Sequence, residues 1–339
     1  MAFGDLHTYV EASGWNALAN NINRVFSDAT PNSAPSTDPT TQANYKFGWG
    51  NTYEADNVNV GDLIEASVFN SAIDSVSVAG HVTGDIPSQV FFQRRAVHEK
   101  ISLTDSALGQ TLQYYTDQIT AHKNTLAPYH GSVTTPVGGI VTRNTPWRYY
   151  MAASFQVNFD SYDKLRYFFN SGGQLQINPT AVGGTSQGYL DWKYLVDQCG
   201  AINIGVNGST CVGSIGIQPP GMDNLYALTQ TYQLMLTAKA NFGGNYGGYG
   251  YGGYSGYGAY SGIQIKVWGR LVGNNTLLIK LIFDNRAFRH WIDGTTGFQV
   301  TYRKADPETS LQNQNVIFDI DPPNSLTIVN TFDTGADDS

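Results

Sequence analysis

The residues of this chain whose types could carry chemistry are six histidines, two cysteines and a few closely spaced carboxylates. His7, His81, His98, His122, His130 and His290 are scattered, and His98-Glu99 lacks the second histidine that a zinc-binding helix requires. Asp319-Ile-Asp321 would put two acids on one face of a strand, the raw material for acid–base work or for a cation. One such pair makes neither a glycosidase site nor a calcium loop. Asp333-Thr-Gly335 imitates the aspartic-protease triplet but has no second copy. Gly248-Tyr-Gly-Tyr-Gly-Gly253 lacks both the lysine ending of a phosphate loop and the strand–helix setting of a dinucleotide site. The glycines and serines of 205–216 stand in the wrong register for a nucleophile elbow. No catalytic residue, cofactor-binding residue or metal ligand is therefore assigned, and the chain is expected not to be an enzyme. Cys199 and Cys211 are twelve residues apart and could close a hairpin through a disulfide. A reducing cytoplasm favours two thiols, and without further cysteines or a nearby histidine they make no zinc set.

The elements that would position such residues follow from composition and periodicity. At 339 residues, with 41% hydrophobic residues, the chain has material for two or three domains. Only 14% is charged, while Gly (37), Tyr (21) and Phe (16) abound. An uncharged, aromatic surface suits permanent protein contacts, because interface cores are poor in charge and rich in aromatics. The net charge of −8, with 19 basic against 27 acidic residues and no long Lys/Arg run, argues against nucleic-acid binding. The first ten residues have no basic and apolar leader pattern, and the longest apolar stretch, 277–283, is interrupted by Lys280. No membrane insertion is expected, and synthesis in a cytoplasm is.

The densest structural signal lies at 164–177. Leu165, Phe168 and Phe169 recur at helical spacing, Gly172 and Gly173 supply a stop through positive φ, and Gln174-Leu-Gln-Ile177 alternates as a strand does. Phe168, Phe169, Gly172, Gly173 and the adjoining Arg166 are expected to determine the fold. The string Arg166-Tyr-Phe-Phe-Asn-Ser-Gly-Gly-Gln174 resembles the signature of a family of virion structural proteins of contractile-tailed phages, especially those of cyanobacteria. The resemblance runs from about residue 45 to the C-terminus, and it implies a virion location, other virion proteins as partners and no known active site.

Around that motif the pattern predicts an α+β chain: N-terminal helical segments, then a strand-rich C-terminal domain with short helices. Residues 1–88 read as a helical anchor region. In a weak repeat, Val10-Glu-Ala-Ser-Gly-Trp-Asn16 matches Ile64-Glu-Ala-Ser-Val-Phe-Asn70, each opening an amphipathic helix with Ser13 or Ser67 as N-cap. The two helices either pack on each other or form a duplicated docking device. Trp15 and Phe69 are the contact residues expected there. Between them, 28–44 is a polar linker or arm, and 45–53 is aromatic and glycine-punctuated. Residues 89–130 are expected to be connecting helices, with Leu108, Leu112, Tyr115, Ile119 and Leu126 in a short heptad seam.

From 131 to 339 strands dominate, with a helix at 189–199, a strand at 201–206 and further strands near 154–159, 232–240, 262–272, 276–283, 298–303, 316–320 and 326–330. Gly273-Asn274-Asn275 is the turn of a hairpin. A glycine and tyrosine loop at 241–262 offers Tyr249, Tyr251, Tyr254 and Tyr257 as an adhesive tip. The expected function is that of a structural component of a tailed-phage particle, in the tail, neck or baseplate, assembled as a homo-oligomer. The alternative is a tail-fibre-like module for host attachment that holds cell-surface glycan on the tyrosine loop.

Overall fold

The computed structural model describes residues 12–26, 56–83, 112–122, 140–213, 216–218, 225–239, 263–285, 290–304 and 321–333. The polar segment 28–44, the aromatic segment 45–53, the strand expected at 316–320, and the 241–262 tract with its four named tyrosines lie outside the described residues. The chain is α+β, with helices first and two antiparallel sheets after them. It divides into two compact units. One comprises Met1–Ser132, Arg166–Gly173 and Lys304–Asp321, the other Val133–Leu165, Gln174–Arg303 and Pro322–Ser339.

In the first unit, α1 (Ala12–Phe26), α2 (Ala66–Thr83) and α3 (Leu112–His122) form a cluster. The apolar residues of α1 recur every three or four positions, so Trp15, Leu18, Ala19, Ile22, Val25 and Phe26 make one buried stripe. Trp15 lies 6.2 Å from Phe69 of α2, and Phe69 lies 6.2 Å edge-on from Tyr115 of α3. These two rings hold equivalent places in the sequence repeat, and they meet. From Ala72 to Gly80 every residue of α2 is buried, the polar Asp74, Ser75 and Ser77 included, so this part of the helix, mostly small and apolar, is enclosed on all sides. Ser75 Oγ donates to Ser71 O at 2.8 Å, satisfying one hydroxyl within the helix. Neither Ser13 nor Ser67 caps its helix, since both lie inside the first turn and Ser67 Oγ turns to the Glu65 carboxylate. Helix α2 opens instead at Glu65, whose carbonyl accepts from Phe69 N at 3.0 Å; upstream, in the turn at 59–62, the Asp62 carboxylate accepts from Asn59 N at 2.6 Å.

Helix α4 (Tyr162–Asn170) carries the signature. It ends in the doubly bonded glycine stop that closes many helices: Gly173 N donates to Phe168 O at 2.9 Å and Gly172 N to Phe169 O at 3.1 Å. The two glycines act differently, which corrects the expectation that both supply positive φ. Gly172 has φ +92°, whereas a Cβ on Gly173 would sit 2.4 Å from Phe168 O. Phe168 and Phe169 are fully buried and pack edge-on at 5.0 Å, and Arg166 is buried with its guanidinium 4.8 Å from the Tyr167 ring centre.

The second unit is built of β1 (Val141–Arg143), β2 (Tyr150–Asn158), β3 (Gln174–Val182), β4 (Ile202–Gly205), β5 (Gly208–Cys211), β6 (Gly216–Gln218), β7 (Gln233–Lys239), β8 (Gln264–Val272), β9 (Thr276–Asp284), β10 (Thr295–Arg303) and β11 (Ser325–Asp333), with α5 (Gln187–Cys199). One sheet runs β1-β10-β3-β4-β5 and the other β11-β2-β9-β8-β7-β6. The hairpin expected at Gly273 joins β8 to β9 in continuous register. Met151, Ala153, Phe155 and Val157 of β2 pair with Phe283, Leu281, Ile279 and Leu277 of β9, so the period of two puts both sets on one buried face. From the facing sheet, Phe298 of β10 comes within 6.3 Å of Phe155 and 5.8 Å of Phe332. Each ring enclosed in this way contributes about 1.5–3 kcal/mol by removal from water.

Candidate functional site

Strands β1 and β2 are separated by the segment 144–149, and β9 and β10 by the segment leading to His290–Gly294. The two segments are bound together through their backbones. Trp147 N donates to Ile292 O at 3.0 Å and Ile292 N returns the bond to Trp147 O at 2.8 Å. Beside this bridge sits Asn285, fully buried, whose amide nitrogen donates to Arg148 O at 2.8 Å and His290 O at 2.7 Å. Its backbone N–H donates to Tyr149 O at 2.6 Å. One asparagine thus fixes three carbonyls of two segments, which no local hydrogen bond could do.

What that frame carries is an aromatic and cationic platform. Trp291 is 56% exposed, although tryptophan is ordinarily well buried. The Arg148 guanidinium lies 5.3 Å from the Tyr149 ring centre and 6.0 Å from that of Trp291. Beneath it, Trp147 packs edge-on to Trp192 of α5 at 5.3 Å, and Trp192 in turn meets Phe283 at 4.9 Å. The exposed Trp291 therefore adjoins, through the Trp147–Ile292 bridge, a buried aromatic stack.

A second tie secures the start of α5 to the same segment. Asp293 accepts from Thr185 N and Ser186 N, each at 3.0 Å, and from Ser186 Oγ at 2.5 Å. Ser186 Oγ also lies 2.9 Å from Trp291 O and accepts from Tyr189 N at 3.1 Å, the bond of a helix N-cap. Ser186 and His290 are residue types that could suggest a nucleophile, but the serine's one proton is engaged and its lone pair serves the helix. The group serves as the cap of α5. The Ser186 hydroxyl, and after it the Thr185 and Ser186 N–H groups, hold the Asp293 carboxyl well below the usual carboxylate range. Nearby on α5, burial raises the Asp191 carboxyl, with Gln187 and the charge of His290 opposing.

The thiols form the third feature. Cys199 and Cys211 have their sulfurs 3.1 Å apart, Cys199 buried and Cys211 half-buried. The hydrogen bond to Cys211, and behind it burial, hold the Cys199 thiol above the ordinary thiol range.

The structure puts Trp15 and Phe69 in the interior of the helical cluster, in contact with each other and with no exposed ring to offer. Arg166, Phe168, Phe169, Gly172 and Gly173 are all buried. Asp321 is exposed, and its intended mate Asp319 lies outside the described residues. Among the described residues no three metal-ligating side chains gather, and no helix is long and apolar enough to cross a membrane. Sequence reasoning passed over Arg148, Asn285, Trp291 and Asp293. A faint signal existed in Ser186, three residues before Tyr189 as a cap should be, but without the glutamate that completes a capping box.

Fold and surface together define an α+β protein whose larger unit joins two antiparallel sheets through a shared aromatic core and presents a braced Trp–Arg–Tyr platform. The chain matches no family model, and neither a curated protein nor a solved structure is significantly similar to it.

Proposed function

We propose that this chain is a structural component of a tailed-phage particle, in its tail, neck or baseplate, made in the host cytoplasm and acting by assembly with other virion proteins and with its own copies. The observation that carries the assembly part is the platform at Trp291, Arg148 and Tyr149. Trp, Tyr and Arg dominate the energetics of protein interfaces, and a frame that already holds them in place lowers the ordering cost of association. Val60 and Leu63, almost fully exposed before α2, and Leu190, exposed on α5, add apolar contact surface of the same kind. The phage part is supported by the resemblance at 166–174, most of whose residues are buried in the end of α4 and the glycine stop that follows it.

The test is complementation of a phage lacking this gene. Trp291→Ala combined with Arg148→Ala is expected to yield folded protein that enters particles at least about tenfold less than wild type, a loss typical of interface hot spots. Normal incorporation of that variant would remove the platform from the reading. Deletion of 245–260 is expected to leave particles incomplete. Particles that assemble fully but fail to adsorb would instead make the chain a glycan-binding host-attachment module.

A further inference from the structure

Cys199 closes α5 and Cys211 closes β5, so each thiol stands at the end of a regular element. The backbones around both are fastened. Gly213 N donates to Cys199 O at 2.9 Å, Val212 N to Ala201 O at 2.8 Å and Gly200 N to Val196 O at 3.0 Å. Cys211 is in register with Ile202 across the β4–β5 pair. The segment after Cys211 lies so close to the helix end that a Cβ on Gly213 would come 2.0 Å from Gln198 O. Two sulfurs 3.1 Å apart on such a frame need about 1 Å of further approach to bond, within the reach of side-chain rotation. β5 is also the edge strand of its sheet, held from one side by β4, so the thiols sit where the sheet needs fastening.

We infer that Cys199 and Cys211 form a reversible redox clasp, a disulfide that a small-molecule disulfide of the glutathione class closes by exchange and that excess thiol reopens. The half-buried Cys211 is the sulfur an oxidant reaches first. Its thiolate attacks one sulfur of the oxidant, whose S–S bond breaks; one reduced thiol leaves and a mixed disulfide remains on Cys211. Cys199 then gives up its proton and attacks the Cys211 sulfur, and the second reduced thiol leaves. Two protein thiols are oxidised and one small disulfide is reduced to two thiols, the protein's two protons passing to the leaving groups. In the mixed disulfide the Cys211 thiol no longer hydrogen-bonds Cys199, which removes the largest cause of that thiol's reluctance to ionise. The closed clasp ties the C-terminus of α5 to the sheet edge, and it is independent of what the protein assembles with.

The test equilibrates the purified full chain in buffers of reduced and oxidised glutathione, then alkylates free thiols and maps the peptides by mass. Expected is an intramolecular 199–211 link, lost on reduction, together with a melting temperature that rises on oxidation and falls back with dithiothreitol. The link should form at least about tenfold more favourably in the native chain than in denaturant, equivalent to about 1.4 kcal/mol. Equal closure in both states, or glutathione retained on Cys211 while Cys199 remains free, would overturn the inference. Cys211→Ser should leave Cys199 unreacted in the folded protein; ready glutathionylation of Cys199 in that variant would also contradict it.

Discussion

Within the helical cluster Trp15, Phe69 and Tyr115 face one another and are enclosed, whereas the strand-rich unit encloses Phe155, Phe283, Phe298 and Phe332 yet leaves Trp291 out in water. The difference is not one of ring supply. In the cluster each ring occupies a helical stripe, and a stripe has a single inward direction. In the strand-rich unit the sheets are filled by alternate residues of their strands, so a connecting segment such as 290–294 is free to present a side chain outward once Asn285 and the Trp147–Ile292 bridge hold its backbone. Rings inside helices and strands make the fold. A ring on a braced connection is available for a neighbour.

Breaking the interior rings should have the largest effect. Phe69→Ala in the cluster and Phe298→Ala between the sheets are each expected to cost about 3–5 kcal/mol, read from urea unfolding followed by circular dichroism. A loss below about 1 kcal/mol at either site would mean that its ring is not enclosed as described. Next come the close approaches. A Cβ on Gly269 of β8 would lie 2.4 Å from Met235 Sδ and 3.3 Å from Ile279 Cδ1, so Gly269→Ala is expected to cost about 1–3 kcal/mol by overpacking. Gly173→Ala, whose Cβ would meet the fixed Phe168 carbonyl, should cost a similar amount, and a Met235→Ala background should relieve the first but not the second.

Acid should separate the braced connection from the cores. Because the folded-state Asp293 carboxyl lies below its ordinary value, its contribution is complete above about pH 4 and is lost as pH falls further toward the lowered folded value. The melting temperature of Asp293→Asn should therefore differ from that of wild type near neutral pH and converge with it in strong acid. Parallel curves across the whole range would show that the carboxylate does not hold the start of α5. The smallest stability effect belongs to Trp291→Ala, within about 0.5 kcal/mol, since that ring is mostly in water. If it matched Phe69→Ala, the contrast between enclosed and presented rings would collapse.

Local periodicity made much of this fold legible. The helix expected at 189–199 is found at Gln187–Cys199, the hairpin about Gly273 is present, and the stop at Gly172 is where its sequence put it. Boundaries were missed where strands run on through residues without alternation. Thr295 and Gly297 begin β10 because Gly297 can let Val141 O approach, a reason invisible within one strand. Strand order was not legible either, since β10 enters between β1 and β3 from far along the chain. The platform is the extreme case. Asn285 binds Arg148 O across 137 positions and Asp293 binds Ser186 across 107, so no window of sequence contains both partners. Trp15 and Phe69 illustrate the converse: of the two uses the repeat left open, packing of its helices on each other or docking, the structure has the two rings buried against each other.

Electron microscopy of an intact particle at side-chain resolution would show whether the Trp291–Arg148 platform is an interface. Density for this chain is expected in the tail, neck or baseplate, repeated by symmetry, with Trp291 and Arg148 covered by a neighbouring subunit. Particles that contain no such density, or that hold the chain with Trp291 facing solvent in every copy, would contradict that expectation.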